Sequence, residues 1–129
     1  MINQNTKTQA KLLMVIEDDP LLTKMYKTKI ASEGFRVITA QDGQEGLKKA
    51  LEYKPDGIIL DVMMPKLSGI DMLTRLRQDA YGKNIPVVII SNLSQEAEDG
   101  KAKELGVKEY LIKANYTPKE VIERLKQYI

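Results

Sequence analysis

The chain has 129 residues, 43% of them hydrophobic and 29% charged, and its 20 lysines and arginines against 18 aspartates and glutamates leave a net charge of +2. These values predict one globular domain that is neither disordered nor strongly attracted to nucleic acid. Cysteine and histidine are both absent, which excludes disulfides, thiol catalysis, the usual zinc sites and every mechanism built on a histidine base. The first residues are polar and no apolar run reaches the roughly 18 residues of a membrane span, so we expect a cytoplasmic protein without membrane insertion.

Short apolar runs alternate with helical patterns after a polar N-terminal extension at residues 1–10. The predicted strands are 12–16, 35–40, 58–60, 87–90 and 109–113. The predicted helices are 20–33, 44–53, 68–78, 95–105 and 117–129. In the first helix, Leu21, Leu22, Met25, Tyr26 and Ile30 fall on one side, which predicts that this side faces the core.

Five strand–helix units in succession predict an α/β fold. Short connections between strand and helix require parallel strands with helices on both faces of the sheet. Five strands are too few for a closed eight-stranded barrel, so we expect an open, doubly wound, five-stranded parallel sheet formed by residues 11–129 as a single domain.

Chemically active side chains follow four of the predicted strands. The first strand ends in Glu17-Asp18-Asp19, the third in Asp61, the fourth in Ser91 and the fifth in Lys113. In a parallel sheet these residues emerge together at the carboxyl edge, where open α/β folds bind their ligands. Singly, each is an ordinary turn or capping residue, and Asp19 before a proline fits capping well; together they indicate a site.

The residue types at this edge are those of a phosphoryl-acceptor site. If the first and third strands are neighbours, about 4.8 Å apart, Asp18 and Asp61 can share one Mg²⁺ ion. A carboxylate can accept a phosphoryl group, while metal, lysine and hydroxyl neutralise the charge that develops. The sequence has neither a Gly-x-x-x-x-Gly-Lys-Ser/Thr loop nor a Gly-x-Gly-x-x-Gly turn after a strand, which disfavours a nucleotide-binding protein.

These segments resemble the receiver domain of bacterial two-component response regulators, and the resemblance extends from Lys11 to Ile129. The segments that carry it are Val15-Ile16-Glu17-Asp18-Asp19-Pro20, Ile59-Leu60-Asp61-Val62-Met63-Met64-Pro65, Ser91, and Tyr110-Leu111-Ile112-Lys113. The resemblance implies a flavodoxin-like sheet with strand order 2-1-3-4-5.

The resemblance also implies a role for each matching residue. Asp61 is the expected phosphorylated aspartate. Asp18 is expected to bind Mg²⁺ directly and Glu17 through a water, and the backbone carbonyl of Met63 is the third expected protein ligand.

Three further roles concern the phosphorylated state. Ser91 is expected to donate a hydrogen bond to the phosphoryl group and Lys113 to pair with it. Tyr110 is the expected switch aromatic, which moves inward as Ser91 is drawn towards the phosphate, although taken alone it reads as a half-buried core tyrosine.

The implied partners are proteins. Because the chain has no histidine, the phosphohistidine donor must be a separate sensor histidine kinase or histidine phosphotransfer protein, or a small phosphodonor must replace it. The expected readout is a shift in the surface of the fourth helix, fifth strand and fifth helix towards a downstream target or effector. The chain would be a switch that assists its own phosphorylation and dephosphorylation, not an enzyme.

Three positions depart from the family pattern. Ala114 follows Lys113 where proline in a cis peptide is usual, which leaves either a trans peptide with a shifted loop or a strained cis one. Asn92 follows Ser91 where a small residue is usual. Met63 and Leu93, two positions after Asp61 and Ser91, are apolar, and we hypothesise that they exclude water and slow dephosphorylation.

The fourth predicted helix is polar and contains Gly100, so we expect it to be among the least stable elements and the most responsive to phosphorylation.

Two other functions stay open at this point. A pseudo-receiver would use the same fold as an interaction module without phosphorylation, an alternative that Asn92 and Ala114 leave in place. A Mg²⁺-dependent phosphatase using Asp61 is disfavoured because no second aspartate lies two residues later. We expect no DNA-binding or catalytic output module after Ile129, and both a stand-alone regulator and a piece of a longer one stay open.

Overall fold

The structure is a computed structural model that describes residues 10–64, 66–92 and 95–129, with the backbone alone described for residues 95–99. The strands are β1 (Leu12–Ile16), β2 (Arg36–Ala40), β3 (Gly57–Asp61), β4 (Val87–Ser91) and β5 (Glu109–Ile112). The helices are α1 (Pro20–Ser32), α2 (Gly43–Tyr53), α3 (Gly69–Arg77), α4 (Gln95–Glu104) and α5 (Pro118–Lys126). The predicted alternation is confirmed, while residues 1–9 of the N-terminal extension lie outside the described residues.

The element boundaries differ from prediction by a few residues. The fifth strand was predicted to include Lys113, but it ends at Ile112 and Lys113 begins a single turn of 3-10 helix, Lys113–Asn115. The last helix ends at Lys126 instead of residue 129. The chain therefore turns at Lys113, at the carboxyl edge of the sheet.

All five strands are parallel and lie in the order β2-β1-β3-β4-β5. The fold class and strand order are thus confirmed. Every residue of β1, β3 and β4 is buried, which explains why these strands are continuous apolar runs. The edge strand β2 is partly exposed, in agreement with its mixed sequence.

The core has one layer on each face of the sheet. On one face Leu13 and Val15 of β1 pack with residues of α1 and α5, including Ile30 and Leu125. On the other face the remaining helices pack on Met14 and Ile16 of the same strand, and their buried side chains in this cluster are Ala50 (α2), Met72, Leu73 and Leu76 (α3) and Ala102 (α4). Alternate residues of one strand therefore supply both layers.

The side of α1 that was predicted to face the core includes residues that the structure exposes to solvent. Tyr26 and Ile30 are buried, but Leu21 is 69% and Met25 47% exposed. Residues four apart lie along one line of a helix, and the line through 22, 26 and 30 faces the sheet. Leu21 and Met25 form the neighbouring line, which the sheet does not cover.

No helix in the described part of the chain has the length and the apolar character needed to span a membrane.

Candidate functional site

The predicted site residues meet at the carboxyl edge of the sheet. Glu17 directly follows β1, Asp61 ends β3, Ser91 ends β4 and Lys113 directly follows β5. The strand register places Asp61 opposite Ile90 of β4, so Ser91 is one residue beyond the level of Asp61.

The loop after β1 gives its three acidic residues different environments. The Glu17 side chain is fully buried, and its Oε2 accepts a hydrogen bond from the backbone N–H of Asp19 at 2.9 Å. The Asp19 carboxylate caps α1 by accepting from the N–H of Leu21 at 2.9 Å, so the capping interpretation of Asp19 is confirmed. Thr23 donates from Oγ1 to the carbonyl oxygens of Asp19 at 2.8 Å and Glu17 at 3.2 Å. Asp18 is exposed.

Asp61 is held from two sides and is only 2% exposed. Its Oδ1 accepts from the backbone N–H of Met63 at 3.0 Å, and its Oδ2 accepts from Nζ of Lys113 at 3.0 Å. The start of α3 packs directly on its backbone, because a Cβ on Gly69 would lie 2.6 Å from the Asp61 carbonyl oxygen. Only glycine allows this approach, and the helix predicted over 68–78 gave no sign of it.

Lys113 connects two carboxylates. Its Nζ lies 2.9 Å from Oε1 of Glu17 and 3.0 Å from Oδ2 of Asp61. The peptide between Lys113 and Ala114 is trans, so the trans isomer of the two expected alternatives is confirmed. Residues Lys113–Asn115 form a 3-10 turn.

The acidic pocket formed by Glu17, Asp18, Asp61 and Lys113 carries more negative than positive charge. Carboxylate oxygens of Glu17, Asp18 and Asp61 lie within 4.8 Å of one another. Burial raises the pKa of Glu17 to about 7, and the charge of Asp61 adds to this although hydrogen bonds from Asp19 and Lys113 act against it. Burial works to lower the pKa of Lys113, but its hydrogen bonds with Glu17 and Asp61 raise it. A cation at the three carboxylates would relieve this imbalance.

Sequence reasoning missed the proximity of Tyr26 to this pocket. Its side chain is 2% exposed in the layer between α1 and the sheet. Burial raises the pKa of its hydroxyl, and the negative charges of Glu17 and Asp61 raise it further. The helical pattern assigned Tyr26 to the core correctly, but no local signal shows that a core position also lies near two carboxylates.

The remaining predicted residues occupy distinct places around the pocket. Ser91 is fully buried, and Tyr110 is 7% exposed within the core layer that α2, α3 and α4 cover. Met63 is 54% exposed, and Asn92 is exposed. Leu93, the other apolar position of the hydrolysis hypothesis, lies outside the described residues.

This geometry suits chemistry at an anionic oxygen. A buried carboxylate, a lysine within hydrogen-bond distance and two further carboxylates can together bind a divalent cation and neutralise a phosphoryl group. With its strand order, the site defines the chain as a doubly wound α/β protein whose acidic pocket lies at the carboxyl edge, beside the strand where the chain order reverses.

Comparison with known proteins gives the family. The model of the response regulator receiver domain matches residues 13–126. The alkaline phosphatase synthesis transcriptional regulatory protein PhoP of Bacillus subtilis is 37% identical over 116 residues, which are 90% of this chain and 47% of PhoP. The chain belongs to the response regulator receiver domain family, whose members are signalling switches and not classical enzymes.

Two solved structures have the same fold. Chemotaxis protein CheY4 of Vibrio cholerae has a TM-score of 0.86 at 24% identity, covering 94% of this chain and 100% of CheY4. The receiver domain of sensor histidine kinase PA1611 of Pseudomonas aeruginosa, with a magnesium ion coordinated in its active site cleft, has a TM-score of 0.82 at 21% identity, covering 93% and 98% of the two chains. The chain spans about half the length of PhoP and almost all of these two.

Proposed function

We propose that the chain is a phosphoacceptor switch of a two-component or phosphorelay system, in which Asp61 accepts a phosphoryl group from a phosphohistidine of another protein. The observation that carries this proposal is the environment of Asp61. Its carboxylate is buried, held at 3.0 Å by both Lys113 and the N–H of Met63, and grouped with two further carboxylates.

Mg²⁺ is the proposed cofactor, and the donor set fits it. Hard divalent ions prefer oxygen ligands, and Glu17, Asp18 and Asp61 each offer one within 4.8 Å of the others. Burial raises the pKa of Glu17 and the charge of Asp61 raises it further, so a cation in the pocket would stabilise the deprotonated carboxylates. The metal would be held by Asp18, Asp61, the carbonyl of Met63 and, through water, Glu17. When bound, it supplies charge neutralisation for the phosphoryl oxygens.

The transfer is a displacement at phosphorus. A carboxylate oxygen of Asp61 attacks, an O–P bond forms and the N–P bond of the donor breaks, with its electron pair returning to the imidazole nitrogen. The other ring nitrogen of the donor carries a proton, so the imidazole leaves neutral. Lys113 is within reach of both Asp61 and the incoming oxygens, and its ammonium group balances their charge.

Ser91 and Tyr110 link the phosphoryl group to the surface. Ser91 ends β4 beside Asp61, and Tyr110 on β5 is paired with Ile89, two residues before Ser91. A hydrogen bond from Ser91 to the phosphoryl group draws β4 and the following loop towards the site. Tyr110 then moves further inward, which changes the surface that α4, β5 and α5 present to a downstream target or effector.

The donor is a sensor histidine kinase or a histidine phosphotransfer protein. The chain has no histidine of its own, and the uncovered line of α1 offers an apolar contact surface next to the pocket. Leu21 and Met25 are the exposed apolar residues on this line, and Leu21 lies three residues after Asp18. A partner that binds there brings its phosphohistidine towards Asp61.

The test is the intact mass of the protein after incubation with acetyl phosphate and Mg²⁺. The native chain is expected to gain the mass of one phosphoryl group, and Asp61→Ala to gain none. Asp71→Asn, at an exposed aspartate on α3, is the control and should be phosphorylated like the native chain. Absence of the adduct on the native chain, or its persistence in Asp61→Ala, would refute the proposal.

A further inference from the structure

Arg77, the last residue of α3, contacts two separate parts of the chain. Its Nη1 donates to the carbonyl oxygens of Gly82 and Ile85, both at 2.8 Å, in the connection between α3 and β4. Its Nε donates to the carbonyl oxygen of Leu105 at 2.7 Å, and its Nη2 lies 3.5 Å from that of Gly106, both directly after α4.

These partners suit a guanidinium group and no other side chain. All four are backbone carbonyl oxygens, and in the described part of the chain Arg77 has no carboxylate ion pair. A planar fork with five N–H donors can serve carbonyls on several sides at once, whereas a lysine ammonium serves a single point. Arg77 therefore fastens the end of α4 to the α3–β4 connection on the same face of the sheet.

The C-terminal end of α4 is also fixed by its own contacts. Ala102 is 2% exposed in the core layer, and Leu105 and Val107 pack against that layer. The chain then leaves the helix through Gly106, with φ of 70°. Two residues before Ala102 the situation is different, because a Cβ at Gly100 would meet nothing within 4 Å.

We propose that Arg77 holds residues 103–107 in place when the site is phosphorylated. The C-terminal end of α4 then stays fixed, and Arg77 is the anchor about which the helix changes its angle. The N-terminal end of α4 is the end that follows Ser91 along the chain, and the α4-side partners of Arg77 are the carbonyl oxygens of Leu105 and Gly106 at the opposite end. The response to phosphorylation is then an angular change of α4 about its C-terminal end and not a displacement of the whole helix. The angular change of α4 on phosphorylation rests on the proposed function, whereas the anchoring by Arg77 does not.

The experiment is amide hydrogen exchange of the full chain, measured residue by residue by NMR. In Arg77→Met, exchange at residues 103–107 is expected to rise at least about tenfold above the native chain, with a smaller effect at 99–101. Arg75→Met removes an exposed arginine from the same helix and is expected to leave both sets unchanged. If Arg77→Met does not fold, Arg77→Lys keeps the charge but loses the fork, and the same direction of change is expected.

The second arm compares the native chain before and after phosphorylation by acetyl phosphate with Mg²⁺. Exchange at 99–101 is expected to change severalfold and exchange at 103–107 by less than twofold. Equal changes in the two sets, or exchange at 103–107 in the Arg77 variants that matches Arg75→Met, would overturn the proposal. If intact mass reports no phosphoryl group, the proposed function fails, and the first arm alone decides whether Arg77 is the anchor.

Discussion

Both carboxylate oxygens of Asp61 are engaged by donors of the chain, and this constrains how the residue reacts. Oδ1 accepts from the Met63 N–H and Oδ2 from Lys113. The side chain cannot rotate without losing one of these bonds, so its orientation is fixed before a donor arrives. The neighbours of Asp61 therefore control what reaches it, and Met63 is one of the exposed ones.

We expect Met63→Asn to accelerate loss of the phosphoryl group from Asp61. The Met63 side chain is apolar and 54% exposed, and the backbone N–H of Met63 donates to Asp61, the proposed phosphoacceptor. An amide at this position can orient an attacking water, which an alkyl thioether cannot. A rate increase of about threefold or more corresponds to a barrier lowered by roughly 0.7 kcal/mol. The decay of the phosphorylated mass with time measures it.

Met63→Leu is the matched variant, since it keeps an apolar side chain of similar volume, and its phosphoryl lifetime should equal that of the native chain. An unchanged lifetime in Met63→Asn would contradict the idea that apolar cover slows hydrolysis.

At the residue scale, the sequence predicted which side chains meet but not how each is oriented. Strand ends identified Glu17, Asp18, Asp61 and Lys113, because parallel strands present their carboxyl ends at one edge. That Glu17 is buried while Asp18 is exposed depends on hydrogen bonds formed only in the folded loop, such as the one from the Asp19 N–H to Glu17. No pattern in the amino-acid sequence predicts these hydrogen bonds.

At the scale of elements, periodicity predicted each strand and helix but misjudged how much of a helix is covered. The apolar side chains of α1 occupy two lines, and the sheet covers only the one that contains Tyr26 and Ile30. The exposure of Leu21 and Met25 depends on how α1 packs on the sheet, which the sequence of α1 alone does not specify. The continuous apolar pattern predicted strands most clearly where both faces of the sheet are buried, as in β1, β3 and β4.

We expect Gly100→Ala to stabilise α4 and the protein by about 0.5–1 kcal/mol. Gly100 lies inside α4, and a Cβ there meets nothing within 4 Å, so alanine gains helix propensity without a steric cost. The free energy of unfolding from a urea titration measures the effect, and slower amide exchange in α4 should accompany it.

Gly34→Ala is the informative control for this substitution. It also has open space around the added Cβ, but its φ of 91° lies in the region that alanine disfavours. It should therefore destabilise the protein. If both variants change the free energy of unfolding in the same direction, the backbone conformation of the glycine does not determine the effect of the added Cβ. The prediction for Gly100 would then be wrong.

At the scale of the whole molecule, the strand order brings the site together. With β1 between β2 and β3, the acidic loop after β1 lies beside Asp61, although 43 positions of sequence separate Asp18 from Asp61. The buried carboxylates are held by the rigid sheet, so the fold tolerates their repulsion at a cost in stability. That cost depends on pH and on any cation that neutralises it.

For the metal-free protein, we expect stability to fall as the pH rises from about 5 to about 8. Burial raises the pKa of Glu17 in the folded protein to about 7 from its ordinary value of 4.5. Between these values the folded state binds more protons than the unfolded state, so the free energy of unfolding decreases with rising pH, by an amount on the order of 2 kcal/mol. Urea titrations at several pH values in the presence of a chelator measure this slope. Glu17→Gln should flatten it, whereas Glu52→Gln, an exposed position on α2, should leave it unchanged.

Mg²⁺ should counteract this pH dependence, because the proton on Glu17 opposes binding of the ion to the acidic pocket. Below about pH 6 Glu17 holds its proton and the ion gains little, whereas above pH 7 the deprotonated group attracts it fully. The rise in melting temperature on adding Mg²⁺ should therefore grow with pH in the native chain and be smaller and nearly constant in Glu17→Gln. A Mg²⁺ effect that is equally large at pH 5 and pH 8 would mean that the proton on Glu17 does not oppose metal binding, and that the burial of this carboxylate is not what prepares the pocket for a cation.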